Sequence, residues 1–557
     1  MSQDKTAIHL DVILKELGPF GTYNIVNYAL LLFPCFLAGM YGSVFVFEAI
    51  DIDYRCEISE CEALGNHSSW IHLAIPKDKN RLSKCYRYDY SNEFKNSNST
   101  CSLDNLDSTF NTSVQKPCSS FVYSDNDSAV KDFDLGCQNG KRTLIGTMHN
   151  AAMFVSLPLT GIVSDRYGRK IALSIASLMN CIFGVLRSFS VNYYMLVVLE
   201  FLEPGLGAGA YSTAFVMAME LVCPKGRVFG NTLINVVYVF GLMTLAGLSW
   251  ALQDWRQLLR IIYTPACFVF SYLWILNESI RWLISKGRHE EASAIIKKAA
   301  KMNKVVLSEE SLGPFSELEK EKLRIDKHNP ETDNLEREEH IPDSNNETKP
   351  SIFMQVISSS IIRNRVITCS YLWIACTFVY YGLSINSVSL AGNMYTNFML
   401  VAFIEIPANL CCLFVLDRYG RKKVLIITYN LSALLCIGLS FLPKSAGWWS
   451  LFLYLSGKFS ITVAYSSVYI YVSEVFPTNV RQSLLAICSS TGRVGSTLAP
   501  LTPLLALYYD NLPSIFFGFL AIIAGLLVFT LPETLNRPLP DSIEEAEKIS
   551  RQKNQKV

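Results

Sequence analysis

Runs of predominantly apolar residues, each long enough to cross a bilayer as a helix, constrain this chain more than anything else in it. The hydrocarbon core is ~30 Å thick, so at ~1.5 Å per residue a spanning helix needs about 20 residues. The runs place spans 1 to 6 at 22–48, 141–163, 171–190, 194–219, 228–252 and 258–276. Spans 7 to 12 follow at 367–389, 392–416, 423–443, 448–472, 483–508 and 513–531. Half of the 557 residues are apolar, 17% are charged and the net charge is +1. That is too apolar for a soluble protein of this length and too neutral for a nucleic-acid binder. The fold class is an all-α membrane protein with 12 transmembrane helices in two six-helix halves.

Orientation follows from the charges between spans. The turn Ser164–Lys170 carries Arg166, Arg169 and Lys170, and Asp417–Lys423 carries Arg418, Arg421, Lys422 and Lys423. Excess Lys and Arg mark cytoplasmic loops, and an even span count puts both termini on that side too. The domains are then a cytoplasmic N-terminus at 1–21, a first half at 22–276 with an extracellular loop at 51–140, a cytoplasmic central loop at 277–366, a second half at 367–531 and a cytoplasmic tail at 532–557. Span 1 has an amphipathic stretch before it and no small-residue cleavage site, so it reads as a retained span.

The outer loop agrees with this orientation. It carries the Asn-x-Ser/Thr pattern at Asn66, Asn98, Asn111 and Asn126, and six cysteines: Cys56, Cys61, Cys85, Cys101, Cys118 and Cys137. An even set outside the cell reads as disulfides, with about 15 pairings open. A zinc site is the rival, but no His/Cys spacing supports it, so no metal is expected. The other ten cysteines lie in or beside spans and read as small packing residues.

The two halves repeat each other. Asp165, Arg166, Gly168 and Arg169 follow span 2, and Asp417, Arg418, Gly420 and Arg421 follow span 8, 252 positions later. A tight turn needs Gly, and an Asp at a helix end can pair with the arginines and a neighbouring helix end. Glu220 precedes Arg227 by seven positions at the inner end of span 4, and Glu474 precedes Arg481 by the same seven at that of span 10. These charges read as gating residues that hold the halves together on the inner side and release as the halves rock.

These repeats and the polar central loop resemble the major facilitator superfamily. More specific stretches resemble its organic cation, carnitine and organic anion transporter family. They are Leu17-Gly-Pro-Phe-Gly-Thr-Tyr23, the cysteine-bearing loop, Ser279-Ile-Arg-Trp-Leu-Ile-Ser-Lys-Gly-Arg288, Ser473-Glu-Val-Phe-Pro-Thr-Asn-Val-Arg481 and Leu531-Pro-Glu-Thr-Leu-Asn-Arg-Pro-Leu-Pro540. The chain departs from that family at Asn277 and Ile280, and at Leu413 in the second basic turn. The resemblance implies the major facilitator fold and alternating-access transport.

An ionisable residue near the bilayer centre is costly and marks function by default. Glu405 lies midway along span 8, Lys458 along span 10 and Arg493 along span 11. One acid and two bases suit a molecule bearing both a carboxylate and a cation, although Glu405 and Lys458 also have a structural reading as an internal pair. Arg493 is the sharpest candidate, because a guanidinium grips a carboxylate through two hydrogen bonds. Tyr211, Tyr238, Trp373, Tyr380, Tyr381, Tyr465 and Tyr469 lie at similar depth. Aromatic faces attract organic cations by about 0.5–2 kcal/mol each. Glu200 and Glu203, nearer the outer end of span 4, read as solvated vestibule charges. For His149 a structural reading is favoured over a proton relay, and the helix 289–301 reads as lying on the inner membrane surface.

Family comparison implies more. Tyr211 matches carnitine transporters where cation transporters place Trp, and Glu405 matches the acid that cation and carnitine transporters share. Asn409 stands where anion transporters favour Lys, and Arg493 where cation transporters carry Asp. The resemblance therefore implies carnitine-like or amino-acid-derived zwitterions, or cations, as small-molecule partners. The in-class alternative is an organic anion exchanger, and the alternative of another class a transport-dead receptor or sensor. No Walker loop is present, so no cofactor or enzyme activity is expected, and coupling would use sodium, protons or exchange. The expected location is the plasma membrane.

Glycan mapping checks the orientation. Single Asn→Gln changes at Asn66, Asn98, Asn111 and Asn126 should each remove one endoglycosidase-sensitive increment, and Asn346→Gln none; a glycan on Asn346 contradicts the orientation.

Overall fold

A computed structural model describes residues 13, 16–18, 21–62, 68–78, 81–91, 94, 101, 109–124, 127–222, 227–307, 358–442, 447–477, 480–535, 540 and 545–546. Twelve helical spans are present within them. Spans 2, 3, 5, 7, 9, 10 and 12 each have one main helix: Asn139–Tyr167, Arg169–Arg187, Arg227–Leu252, Ser360–Asn386, Arg421–Leu439, Gly447–Val475 and Leu512–Val528. The others are broken. Span 1 is Thr22–Tyr41 and Val44–Glu48, and span 4 is Tyr193–Gly207 and Gly209–Leu221. Span 6 runs in pieces from Trp255 to Ile275, span 8 is Met394–Phe403 and Glu405–Tyr419, and span 11 is Arg481–Leu498 with Thr502–Tyr508. Seven of the helices are long and apolar enough to cross a membrane on length and composition alone. The remainder are short, interrupted or polar along the faces they bury.

Proline accounts for several breaks. Pro407 sits two residues after Glu405, where its missing N–H and its ring disturb the turn behind it. Pro265 interrupts span 6, and Pro500 and Pro503 interrupt span 11. Broken backbone at membrane depth is tolerated where it is buried in protein or faces a cavity. The break in span 8 sets the Glu405 carboxylate inside the bundle, 4% exposed.

The loop between spans 1 and 2 forms a small domain of three antiparallel strand pairs. In it β1 (Tyr54–Cys56) pairs with β6 (Phe121–Tyr123), β2 (Lys77–Asp78) with β3 (Arg81–Leu82), and β4 (Tyr86–Tyr90) with β5 (Phe110–Pro117). The six cysteines join as Cys56–Cys118, Cys61–Cys101 and Cys85–Cys137. Trp70 and Ile75 fill the core beside Cys56, Cys61 and Cys101. The Arg55 guanidinium forks onto Glu62 at 2.6 and 2.8 Å, and holds that carboxyl below its ordinary range. Asn111 is exposed on β5, whereas Asn66, Asn98, Asn126 and Asn346 lie outside the described residues.

This domain and the two basic turns mark opposite faces of the bundle. At the disulfide face the halves are sealed by aromatic side chains. Phe47 of span 1 meets Tyr395 and Phe398 of span 8 at 5.8 and 5.0 Å, and Trp250 of span 5 stacks on Tyr395 at 6.4 Å.

Two sequence expectations change. Span 7 begins at Ser360, inside the stretch read as central loop. The helix His289–Asn303 does not rest its apolar face on lipid. Ala292, Ile296, Ala299 and Ala300 pack on Ile13, Leu17, Tyr23 and Leu283, and Asn303 accepts from the Tyr23 N–H at 2.8 Å and donates to the Leu17 carbonyl at 2.9 Å. Its amphipathic pattern is satisfied by the protein.

Candidate functional site

At the basic-turn face, each turn is built by a glycine whose φ favours no other residue: Gly168 at +109° and Gly420 at +90°. The helix that follows each turn starts with free N–H groups, and a carboxylate from the end of the same half takes them. Glu278 accepts from the N–H groups of Arg169 at 3.0 Å and Lys170 at 3.2 Å. Glu533 does the same for Arg421 at 3.0 Å and Lys422 at 3.2 Å. Arg169 reaches Asp165 at 2.8 Å and Glu220 at 3.9 Å, and Ser279 donates to Glu220. Arg421 reaches Asp417 at 3.4 Å and Glu474 at 3.0 Å, and Thr534 donates to Glu474 at 2.7 Å.

The two networks are copies, and in this form of the protein each braces its own half. Every one of these pairs stays within its own half. Arg481 donates to the Phe476 carbonyl at 3.2 Å, while the Arg227 side chain lies outside the described residues. Arg166 and Arg418 lie over the adjacent rings of Tyr167 and Tyr419 at 5.5 and 5.9 Å. The sequence reading missed Glu278 and Glu533. Their signal was present: each sits at the close of its half, followed by Ser279 or Thr534.

At mid-membrane the three candidate charges separate into a pair and a single. Lys458 Nζ lies 3.0 Å from Glu405 Oε1, donates to Ser384 Oγ at 2.7 Å and to the Tyr380 carbonyl at 3.2 Å, and sits 3.3 Å from the centre of the Tyr380 ring. All its donors are used. Arg493 faces Tyr238, Tyr381 and Tyr465, and has no carboxylate within ion-pair distance among the described residues.

The aromatic candidates form two groups, and Tyr238, Tyr380 and Tyr381 among them border one cavity. Tyr380 packs on Tyr381 and Tyr465 at 5.2 and 5.1 Å, Trp373 on Tyr465 and Tyr469 at 5.7 and 5.8 Å, and Tyr211 on Tyr238 at 5.6 Å. The buried Trp373 indole N–H has no partner. That cavity, between the halves, is bordered by Ser43, Tyr238, Tyr380, Tyr381, Ser384 and Glu405. Behind the cavity-lining Tyr381 the arrangement offers a guanidinium without an acidic partner among the described residues, and it adds aromatic faces and one spare indole N–H, which is chemistry to hold a carboxylate beside an organic cation.

Glu200 and Glu203 are not vestibule charges. Both are buried, at 0% and 1% exposure, against Arg187 and away from this cavity. His149 is buried beside them, 2.8 Å from Glu200. Glu48 and Arg187 complete that group and went unnoticed in the sequence, although both fall inside expected spans.

Comparisons with known proteins follow the same lines. The model of the sugar (and other) transporter family matches residues 82–546. The chain is 31% identical to the organic cation transporter protein of Drosophila melanogaster, over 97% of this chain and 95% of that one. It is 31% identical to organic cation/carnitine transporter 2 of Mus musculus, over 96% of this chain and 93% of that one. Among solved structures, the partially occluded inward open xylose transporter XylE from E. coli aligns with TM-score 0.59 and 16% identity, over 93% of this chain and 100% of that one.

The pair in the site has a thermodynamic signature. Removing one partner of a buried ion pair strands the other, at about 3–5 kcal/mol. Lys458→Met and Glu405→Gln should each lower the melting temperature of the purified protein markedly, and the double variant should lower it less than either. Additive losses would show that the two charges are not coupled.

Proposed function

The chain belongs to the organic cation, carnitine and organic anion transporter family of the major facilitator superfamily, and from that premise we propose that it carries small organic zwitterions or cations, carnitine-like or amino-acid-derived. It is a multi-pass membrane transporter and not an enzyme. In this proposal the disulfide face is extracellular, both termini are cytoplasmic and the plasma membrane is the site of action. The aromatic seal is then the outer gate, and the structure is its closed form. Transport proceeds by rocking of the two halves, each kept rigid by its own basic-turn network. The driving force is a sodium or proton gradient, exchange or facilitated diffusion.

One observation carries the substrate reading: Arg493 faces tyrosines and no carboxylate among the described residues. A guanidinium in a dry cavity needs an anion, and the substrate is the one that comes and goes. The names of the relatives support the cationic end of the substrate, and the rings of Tyr211, Tyr238, Trp373, Tyr380, Tyr381 and Tyr465 supply faces for it. The closed Lys458–Glu405 pair favours one second reading, an organic anion exchanger, because it leaves Arg493 as the one of the three candidate charges without an ionic partner among the described residues.

Uptake by cells expressing the chain separates these. Labelled carnitine, a permanent cation without a carboxylate and a dicarboxylate are offered with and without sodium. Arg493→Ala should cut carnitine uptake more than tenfold, since a charged contact is worth about 1.5–3 kcal/mol. Arg493→Lys should restore part of it, lacking the planar fork, and uptake of the carboxylate-free cation should change little. Equal retention of all substrates by Arg493→Ala refutes the reading. Uptake of the dicarboxylate alone selects the anion exchanger.

A further inference from the structure

A second set of charges lies inside the first half, toward the disulfide face, and transport as described makes no use of it. Glu48 ends span 1, His149 lies in span 2, Arg187 ends span 3, Glu200 and Glu203 lie in span 4, and Tyr263 in span 6. None of the five charged or titratable side chains from Glu48 to Glu203 is more than 1% exposed. Arg187 is the hub. It pairs with Glu200, lies 3.5 Å from both Glu48 Oε2 and Glu203 Oε2, and donates to the Tyr263 hydroxyl at 3.1 Å. Tyr263 in turn donates to Glu203 at 2.9 Å, and His149 Nδ1 meets Glu200 at 2.8 Å. Tyr41 stacks on Tyr263 at 4.4 Å and itself faces Glu203, Cys181 and Cys267.

The charge count does not close. Three carboxylates face one guanidinium, and the imidazole adds one positive charge only by taking up a proton. Neutrality takes two further protons, whether on His149 and a carboxyl or on two carboxyls. Burying the excess negative charge instead would cost several kcal/mol per ion. Unsatisfied atoms mark where protons belong. Both Glu48 carboxyl oxygens and His149 Nε2 are buried without a hydrogen-bonding N–H or hydroxyl partner, and the Glu48 carboxyl lies against that of Glu200, a contact that needs a shared proton. Among the described residues no group of three or more His, Cys, Asp or Glu donors converges on a metal position.

We infer that the Glu48–His149–Arg187–Glu200–Glu203 cluster is a proton-binding site coupled to the outer gate, loaded from outside as the gate closes. The coupling is covalent and short. Glu48 follows Phe47, whose ring seals against Tyr395 and Phe398, and Phe45 packs on His149 at 5.2 Å. When the halves part at this face, Phe47 leaves its aromatic partners and water reaches Glu48, so the excess carboxylate can ionise. Closing again buries the cluster and requires the proton back. A ligand that favours one of two states shifts the population toward it, so external acid favours the closed gate and alkali the open one. The outward placement of this face rests on the proposed function; the link between proton and gate does not.

Two measurements on the purified full chain test this without any substrate. Spin labels at the exposed positions Val191 and Tyr508, one on each half at the disulfide face, report the gate by their distance. In the wild type the longer-distance population should grow as pH rises, by up to about tenfold per pH unit for one linked proton. Glu48→Gln, which mimics a permanent proton, should hold the short distance at every pH, and Glu203→Gln should flatten the response. Infrared spectra of the wild type at neutral pH should show the carbonyl stretch of a protonated carboxylic acid, weakened in either variant. A gate distance indifferent to pH in the wild type, or a Glu48→Gln response equal to the wild type's, overturns the proposal. So does absence of the protonated band, or its loss on adding sodium at constant pH. Should Glu48→Gln not fold, the two wild-type measurements and Glu203→Gln still decide. Loss of carnitine uptake with this pH response intact would count against the substrate reading alone.

Discussion

A charge inside a bilayer must be paired, neutralised or used, and the internal architecture of this protein follows from how each one is treated. Lys458 and Glu405 are paired, with the ammonium further held by Ser384 and the Tyr380 carbonyl. Arg187 is shared among three carboxylates, more than one guanidinium can neutralise. Arg493 faces tyrosines instead of an acid. The first arrangement stabilises a half, the second is the proposed proton site and the third the proposed substrate contact.

The basic turns solve a different problem. Spans 3 and 9 each begin with backbone N–H groups that no residue of their own helix can satisfy. Glu278 and Glu533 take them, from the last segment of the same half. Because Arg169 and Arg421 then reach Glu220 and Glu474 within that half, each six-helix unit is cross-braced internally. Rocking therefore need not break these contacts. What must part is the aromatic seal of Phe47 and Trp250 against Tyr395 and Phe398, which holds by apolar burial and carries no ion pair.

The fold was legible in the sequence because bilayer thickness sets a length scale that apolar runs report directly, and because Asp165 to Arg169 recurs at Asp417 to Arg421. The six cysteines were legible as disulfides, whereas their pairing was not, since spacing does not encode which strands meet. Glu405, Lys458 and Arg493 were found by depth, yet depth cannot say which charges face each other, and Lys458 proved to belong to Glu405. Glu200 and Glu203 misled because a position near a helix end suggests solvent; Arg187, arriving from span 3, buries them. Glu48 lay at the edge of an expected span and was passed over for the same reason. Helix 289–303 had the pattern of a membrane-surface helix, and the Leu17 segment that covers it cannot be located by periodicity.

The proposed grip of Arg493 on a substrate carboxylate is open to a binding measurement on the purified protein. A ligand that binds only the folded state raises the melting temperature in proportion to its occupancy. Carnitine should stabilise the wild type, carnitine methyl ester, which keeps the cation but masks the carboxylate, should do so far less, and Arg493→Ala should abolish the difference. Equal stabilisation by acid and ester in the wild type would contradict that grip.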